Sequence, residues 1–448
     1  MGAGFVAGEE CRLDAAQVER AVALAAGAVA AARRTSSFDR AVALDRVAAE
    51  LARNADSLAQ ALSDECGYLT VKDMTLEVTR SIEVFTLTAA YARTGSTEPL
   101  NVDAVDRARG VVGYVKREPI GAILGITAYN GPLLIPAHKI APAIAAGAPI
   151  LVKPSPRVPL AAINLAKLVV AAGWPKEAIA VVDVDNDATM QLVRDPRLPI
   201  VSFTGGAVGW KIKEAVPHKH VHLELGGVGA VFIAADGNVA TAAKECAAGG
   251  FVRSGQSCIS VQRIYVERSR HAEFVDAFKN QVETMRPGTP GAIGPMVDDA
   301  SAQRVENVIL DAVRQGATIA CGGKRNGSYI APTILTGATG EMTVMRNEVF
   351  GPVVAVSAVD SADEAIAEMN AVAGAIHHGV YTANLDLALR VADEIVAGGV
   401  IINGPGTWRV DHMPYGGTGT SGFGREGVRY SVHEYTEPKT IIIRPSGL

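Results

Sequence analysis

Apolar residues recur at helical spacing through 15–63, in a background of Ala, Leu, Arg and Glu, and predict two helices. TLEVTRSIEVFTLTAAYART (75–94) continues in that style. The character changes at 99–119, where Asn, Asp and Gly punctuate short β-branched runs, and a hairpin leaving the compact body is expected. From Ile120 strands and helices alternate. GAILGITA and PILVKPS are short buried-strand runs with the helical PAHKIAPAIAAG between them, and AINLAKLVVAAG, IAVVDV, ATMQLVRD, IVSFTG and HVHLELGG prolong the alternation. Short Val, Ile and Leu runs closed by Gly or Pro turns are what parallel strands need when helices cover both faces. A second alternating block spans about 230–420, with strands in GAVFIA, SVQRIYVE, GPVVAVS, GVYTA and GGVIIN. KTIIIRP, near the C-terminus, reads as a strand that pairs outside its own domain.

At 448 residues the chain exceeds one ordinary core, so two or three domains are expected. Its 42 basic and 47 acidic residues give a formal charge of −5, which speaks against nucleic acid or a membrane surface as partner. The cysteines, Cys11, Cys66, Cys246, Cys258 and Cys321, are odd in number, widely spaced and free of any Cys-x-x-Cys pair. That pattern predicts neither a disulfide framework nor a metal centre and suits a reducing compartment. No signal-peptide pattern opens the chain, and no run reaches the roughly 18 uninterrupted apolar residues of a membrane span, so a cytoplasmic protein is expected. Two motif-like stretches fail on their context. GGTGTSGFG contains Gly417-x-Gly419-x-x-Gly422, yet no strand leads into it, and a dinucleotide turn needs strand and helix N-terminus together. DVDND (183–187) starts like a calcium loop but puts Ala188 and Arg194 where Gly and Glu are required.

Four separated stretches carry the chemistry: GITAYNGP around Asn130, FTGGAVG then LELGG around Glu224, GQSC at Cys258, and EVFGPV at Glu348. In order and spacing they resemble the aldehyde dehydrogenase superfamily, over nearly everything from residue 17 onward. The resemblance implies an α/β fold with a Rossmann-type cofactor domain, a catalytic α/β domain and a β oligomerisation arm. It implies oxidation of an aldehyde to the acid with NAD or NADP. A thiolate suits that reaction, because it adds to the carbonyl and later leaves when water attacks the thioester. Cys258 matches the family's nucleophile, Asn130 its side-chain oxyanion donor beside the Cys258 backbone N–H, and Glu224 its general base. In HLELGG that carboxylate lies among apolar residues and glycines, where desolvation raises its pKa towards usefulness. Its presence favours hydrolysis over transfer to coenzyme A.

On the cofactor side the resemblance assigns Lys153 to the adenosine ribose, Glu348 to the nicotinamide ribose and Phe350 to the nicotinamide ring. Thr204 and Gly205 would lie beside the nicotinamide and pyrophosphate, and Ile126, Thr127, Ser155, Pro156, Gly206 and Leu225 complete the set. There are departures. Members preferring NAD often carry Glu three positions after that lysine. Here Pro156 and then Arg157 follow, so NADP is expected to be tolerated or preferred. VDVDNDATMQL replaces the usual Gly-rich run, and Gly206 stands where a serine is common. The segment ahead of residue 17 is short for the family and predicts a trimmed edge of the cofactor domain.

AHKIAP, VGWKIKE, GQSCISVQRIYV and RVDHMPYGGTGTSGFGREG look like the branch holding lactaldehyde, sulfolactaldehyde and phosphonoacetaldehyde dehydrogenases. There the loop 404–413 borders the substrate mouth, bringing Trp408, Arg409 and His412 to the entrance, while Gly131 and His138 line the tunnel. Arg409 is expected to hold the anionic tail of a short phosphono-, sulfo-, phospho- or carboxy-aldehyde with its fork of donors. A salt bridge to Asp411 is the local alternative. A neutral hydroxyaldehyde or a broad aldehyde range is the alternative substrate reading. The complete Asn130, Glu224 and Cys258 set speaks against a non-enzymatic nucleotide-binding relative. The expected division is 1–98 with 120–226 for the cofactor domain, 227–420 for the catalytic domain, and 99–119 with 436–448 for the arm. Edge pairing by that arm would build a homodimer or a tetramer.

Overall fold

The computed structural model describes residues 2–95, 97–289 and 291–445. Met1, Ser96, Pro290 and the arm residues 446–448 lie outside the described residues.

Two parallel sheets organise the chain. The first has eight strands, whose centre runs in the order His220–Glu224, Ile200–Thr204, Ile123–Ile126, Ile150–Lys153, Ile179–Val182, all parallel. These runs are buried apart from the ends Thr204 and His220, which is why they are apolar without alternation. The edge expected to be trimmed instead carries an antiparallel hairpin, Ala3–Val6 with Glu9–Arg12, laid on Ile179–Val182. Its two-residue turn, Ala7-Gly8, has φ of 56° and 88°, the left-handed geometry that tight hairpins use. At the other edge Gly422–Phe423 returns from the second half of the chain and pairs with Leu223 and Glu224.

Residues 15–63 lie in three helices rather than two: Ala15–Arg34, Ser37–Arg53 and Ala55–Cys66. The apolar period runs through the breaks, and the caps decide. The Ser36 hydroxyl accepts the Asp39 N–H at 3.0 Å and restarts the helix. By length and composition Ala15–Arg34, at a mean hydropathy of 1.2, would pass for a membrane span. Here its stripe of Ala21, Val22, Ala25, Ala28 and Ala32 is buried, and the helix packs against Ile179–Val182 and Ile150–Lys153.

The second sheet has seven strands in the order Thr318–Cys321, Thr333–Thr336, Val353–Val359, Val261–Glu267, Gly229–Ile233, His377–Tyr381, Gly399–Ile402. Only Thr318–Cys321 is antiparallel. That strand, Thr333–Thr336 and the two-residue pair Arg325–Asn326 with Tyr329–Ile330 escape the sequence reading, being short and mixed in polarity. A separate three-stranded sheet joins Thr97–Leu100, Val112–Pro119 and Thr436–Ile443. The segment KTIIIRP thus pairs with the 99–119 region.

Candidate active site

Between Ile123–Ile126 and Ile200–Thr204 the strand order reverses, and the chain leaves the two strands in opposite directions. A crevice opens there at their carboxyl ends. Glu224 ends the next strand, while the second sheet supplies Cys258 from the turn before Val261–Glu267 and Glu348 and Phe350 from the approach to Val353–Val359. These groups surround one cavity of about 290 Å³. It takes in Asn130, Glu224 and Cys258, the expected cofactor residues Thr204, Gly205, Gly206, Leu225, Glu348 and Phe350, and Gly131, His138 and Arg409 from the expected substrate set.

Strained backbone aims the cysteine. Arg253, Ser254 and Gly255 are left-handed in succession, at φ of 53°, 56° and 68°. For the two that are not glycine this costs about 1–3 kcal/mol each, so the surroundings must over-determine it. They do. Arg253 pairs with fully buried Glu77 at 3.0 Å and donates to the Asn130 carbonyl at 2.6 Å. Glu77 in turn accepts the N–H groups of Leu133 and Leu134 at 2.7 and 2.9 Å. Asn130 Nδ2 donates to the Gln256 carbonyl at 3.0 Å, which leaves its second N–H for another acceptor.

Burial pushes the Cys258 thiol up to about 11. A hydrogen bond to Tyr415 and the Arg409 charge oppose that rise, while Glu348 and Glu224 add to it. Burial also raises Glu224, against the hydrogen bond between its Oε1 and His222 Nε2 at 3.1 Å. Glu224 Oε2 is buried and has no partner among the described residues. Behind it, fully buried Lys139 bonds the Ser202 hydroxyl at 3.0 Å and stands 3.7 Å from Glu426.

On the substrate side Asp411 is the hub. Arg80 Nη2 donates to it at 2.5 Å, Arg409 Nη2 at 3.2 Å, and His138 Nε2 lies 3.0 Å away. Burial works against the Asp411 carboxylate, but His138 and Arg80 hold it well below the usual range. The salt bridge foreseen for Arg409 is therefore present, while Arg409 also lines the cavity and keeps a buried Nε with no partner among the described residues. Trp408 and His412, expected at the entrance, are exposed and do not line the cavity itself.

Lys153 and Pro156 line a second cavity of about 640 Å³ with Asp183 and Asp185. Ile126, Thr127 and Ser155 are buried at the strand ends and line neither cavity. Arg157 is committed to Asp298 at 2.6 Å. Where a Gly-rich run is usual, Asp185 caps the helix Asn186–Arg194 by accepting the Ala188 N–H at 2.8 Å. The residues nonetheless fit a nicotinamide dinucleotide. Thr204 Oγ1 is buried without a partner among the described residues, and a Cβ on Gly226 would collide with the Glu348 carboxylate, so glycine there opens the cradle. Burial pushes Glu348 up to about 7, against the Gly227 N–H at 3.3 Å and Arg304.

Sequence reasoning missed Arg80, Tyr415, His222, Arg253 and the Lys139–Glu426 pair. Two left a signal. His222 stands two positions before Glu224 on a strand, hence on the same face. Glu77 and Arg80 interrupt the apolar pattern of helix Val71–Thr94 at a spacing of three.

A doubly wound sheet whose switch point faces a thiol, an amide and a carboxylate defines an α/β oxidoreductase of the dinucleotide-dependent kind. The chain belongs to the aldehyde dehydrogenase family, whose model matches residues 5–441. It is 36% identical to aspartate-semialdehyde dehydrogenase 1 of Pseudomonas canavaninivorans, over 91% of this chain and 88% of that one. It is 35% identical to 3-sulfolactaldehyde dehydrogenase of Priestia aryabhattai, over 91% and 87%. Among solved structures it resembles aldehyde dehydrogenase 21 of Physcomitrella patens in complex with the reaction product succinate. The TM-score is 0.94 at 30% identity, covering 99% of this chain and 98% of that one.

Proposed function

We propose that the protein oxidises a short aldehyde bearing an anionic group to the carboxylic acid, with a covalent intermediate on Cys258. The observation that carries this reading is the meeting of Cys258, Asn130 and Glu224 in one cavity that Arg80 and Arg409 also line. The Cys258 thiolate adds to the carbonyl carbon. Asn130 Nδ2, with the Cys258 backbone N–H, receives the charge that develops on oxygen. NAD or NADP, when bound, would accept the hydride that leaves the adduct carbon, and the collapse of the oxyanion to a carbonyl gives the thioester. Lys153 and Glu348 would hold its two riboses, with Phe350 and Thr204 beside the nicotinamide. Water then attacks the thioester while Glu224 Oε2 takes its proton; the carbon–oxygen bond forms, the carbon–sulfur bond breaks and the thiolate is restored. Acyl transfer to coenzyme A is not required.

Two guanidiniums share one carboxylate at Asp411, and the orphaned Arg409 Nε needs an acceptor. A phosphonate, sulfonate, phosphate or carboxylate answers both. A neutral hydroxyaldehyde is the second reading, since a hydroxyl also satisfies the orphan donor. For the cofactor, the sequence predicts that NADP is tolerated or preferred. The acids Asp183 and Asp185 beside Lys153 and the pairing of Arg157 with Asp298 instead support NAD as the better acceptor, with NADP the alternative. The cofactor domain comprises 1–98 and 120–226, and 227–420 forms the catalytic domain. The outer edge of Gly399–Ile402 suits pairing with a neighbour's arm strand, where Ile442 and Ile443 are exposed, to build a homodimer or a tetramer.

A panel of anionic and neutral aldehydes with NAD and NADP, followed by identification of the acid, tests the whole reading. Cys258→Ala should abolish oxidation. Oxidation at the wild-type rate in that variant overturns the mechanism, and equal kcat/KM for anionic and neutral substrates removes the anion preference.

A further inference from the structure

Cys258 Sγ lies 2.9 Å from Tyr415 Oη. That contact is built rather than incidental. Tyr415 is buried, and its backbone exchanges two hydrogen bonds with Glu426, at 2.8 and 2.6 Å. Its ring packs nearly perpendicular to that of His377, at 5.3 Å between centroids and 86°, and the Arg409 guanidinium lies 3.8 Å over the ring centroid. The phenol is thus held on three sides with its oxygen against the sulfur. Two carboxylates, Glu348 and Glu224, face that sulfur and disfavour its ionisation, while Arg409 favours it. Burial and the neighbouring charges keep the Tyr415 hydroxyl protonated far above its ordinary range, so it remains a donor when the thiol has lost its proton.

Resting on the reading of Cys258 as nucleophile, we propose that Tyr415 is a further catalytic residue: its O–H donates to the Cys258 thiolate, and Arg409 stacked on its face strengthens that donor. A cation over a phenol ring withdraws electron density and makes the O–H more acidic, and hydrogen bonds to an ionised acceptor are the strong ones. In the attacking step the sulfur's electron pair forms the carbon–sulfur bond, and the Tyr415 proton stays on its own oxygen. The hydroxyl is then free to turn towards the oxygen of the adduct. Arg409 consequently serves the nucleophile whether or not the substrate carries an anion.

The test is the pH dependence of iodoacetamide alkylation of Cys258 in the full-length protein, followed by peptide mass. Tyr415→Phe should raise the midpoint by about one to two pH units, and Arg409→Met by less. Site-specific 3-fluorotyrosine at 415, whose phenol is a stronger donor, should lower it; this replacement keeps the packing and decides the matter if Tyr415→Phe does not fold. An unchanged alkylation profile in both Tyr415 variants overturns the proposal and leaves the nucleophile assignment standing. Undiminished aldehyde oxidation by Cys258→Ala overturns that assignment instead, whatever the alkylation profiles.

Discussion

The two cavities differ in charge: Arg80, Arg253 and Arg409 balance Glu224, Glu348 and Glu426 around the one beside Cys258, whereas acids outnumber the single lysine in the other. Arg80 and Arg409 look into the one beside Cys258, with Asp411 between them, whereas Asp183 and Asp185 flank Lys153 in the other. Locally, the two guanidiniums on Asp411 suit an anionic tail at one end of the site, while the acids around Lys153 disfavour an added phosphate at the other. A guanidinium with an unused donor gains from a phosphonate or carboxylate, while carboxylates beside a single lysine repel an added 2′-phosphate.

Replacing Arg409 and Arg80 together by Met should break the contrast most severely. The KM for anionic aldehydes should rise about a hundredfold or more, while that for neutral aldehydes changes only a few-fold. Steady-state kinetics on matched substrate pairs measures the split, and equal losses on both would mean the arginines only shape the loop. At the other end, Asp183→Asn should tighten NADP binding about tenfold and leave NAD nearly unchanged. Calorimetric titration with each dinucleotide reads this without turnover, and a parallel shift for both would remove the charge argument.

The smallest effect belongs to Glu348. Its pKa of about 7 lies above the unfolded value, so the folded protein holds a proton that the unfolded chain releases between roughly pH 4.5 and 7. Stability should therefore fall as pH rises through that window, and NAD affinity should improve a few-fold from pH 6 to 8 as the carboxylate becomes a pure acceptor. Glu348→Gln should flatten both trends, as denaturant melts and titrations across that range will read.

The sequence revealed these regions unequally. Asn130, Glu224, Cys258 and Glu348 sit in words whose glycines and neighbours are dictated by local geometry: Gly226 clears space for Glu348, and Gly255 takes a left-handed φ against Gly351. Parallel strands were equally legible, because burial on both faces leaves an apolar run. Arg80, His138, Asp411 and Tyr415 come together from a helix, a second helix and a loop hundreds of residues on, and no local pattern encodes that meeting. For Trp408 and His412 the loop's place near the site does not say which side chains line the cavity, and both are exposed.

The most direct measurement is rapid mixing of Glu224→Gln with aldehyde and NAD, followed by mass analysis of the quenched protein. The expected result is one equivalent of reduced cofactor per site, then a stall, with the acyl group on the peptide holding Cys258. Sustained turnover, or an acyl group on any other residue, would contradict the convergence of thiol, amide and carboxylate on a single carbonyl carbon.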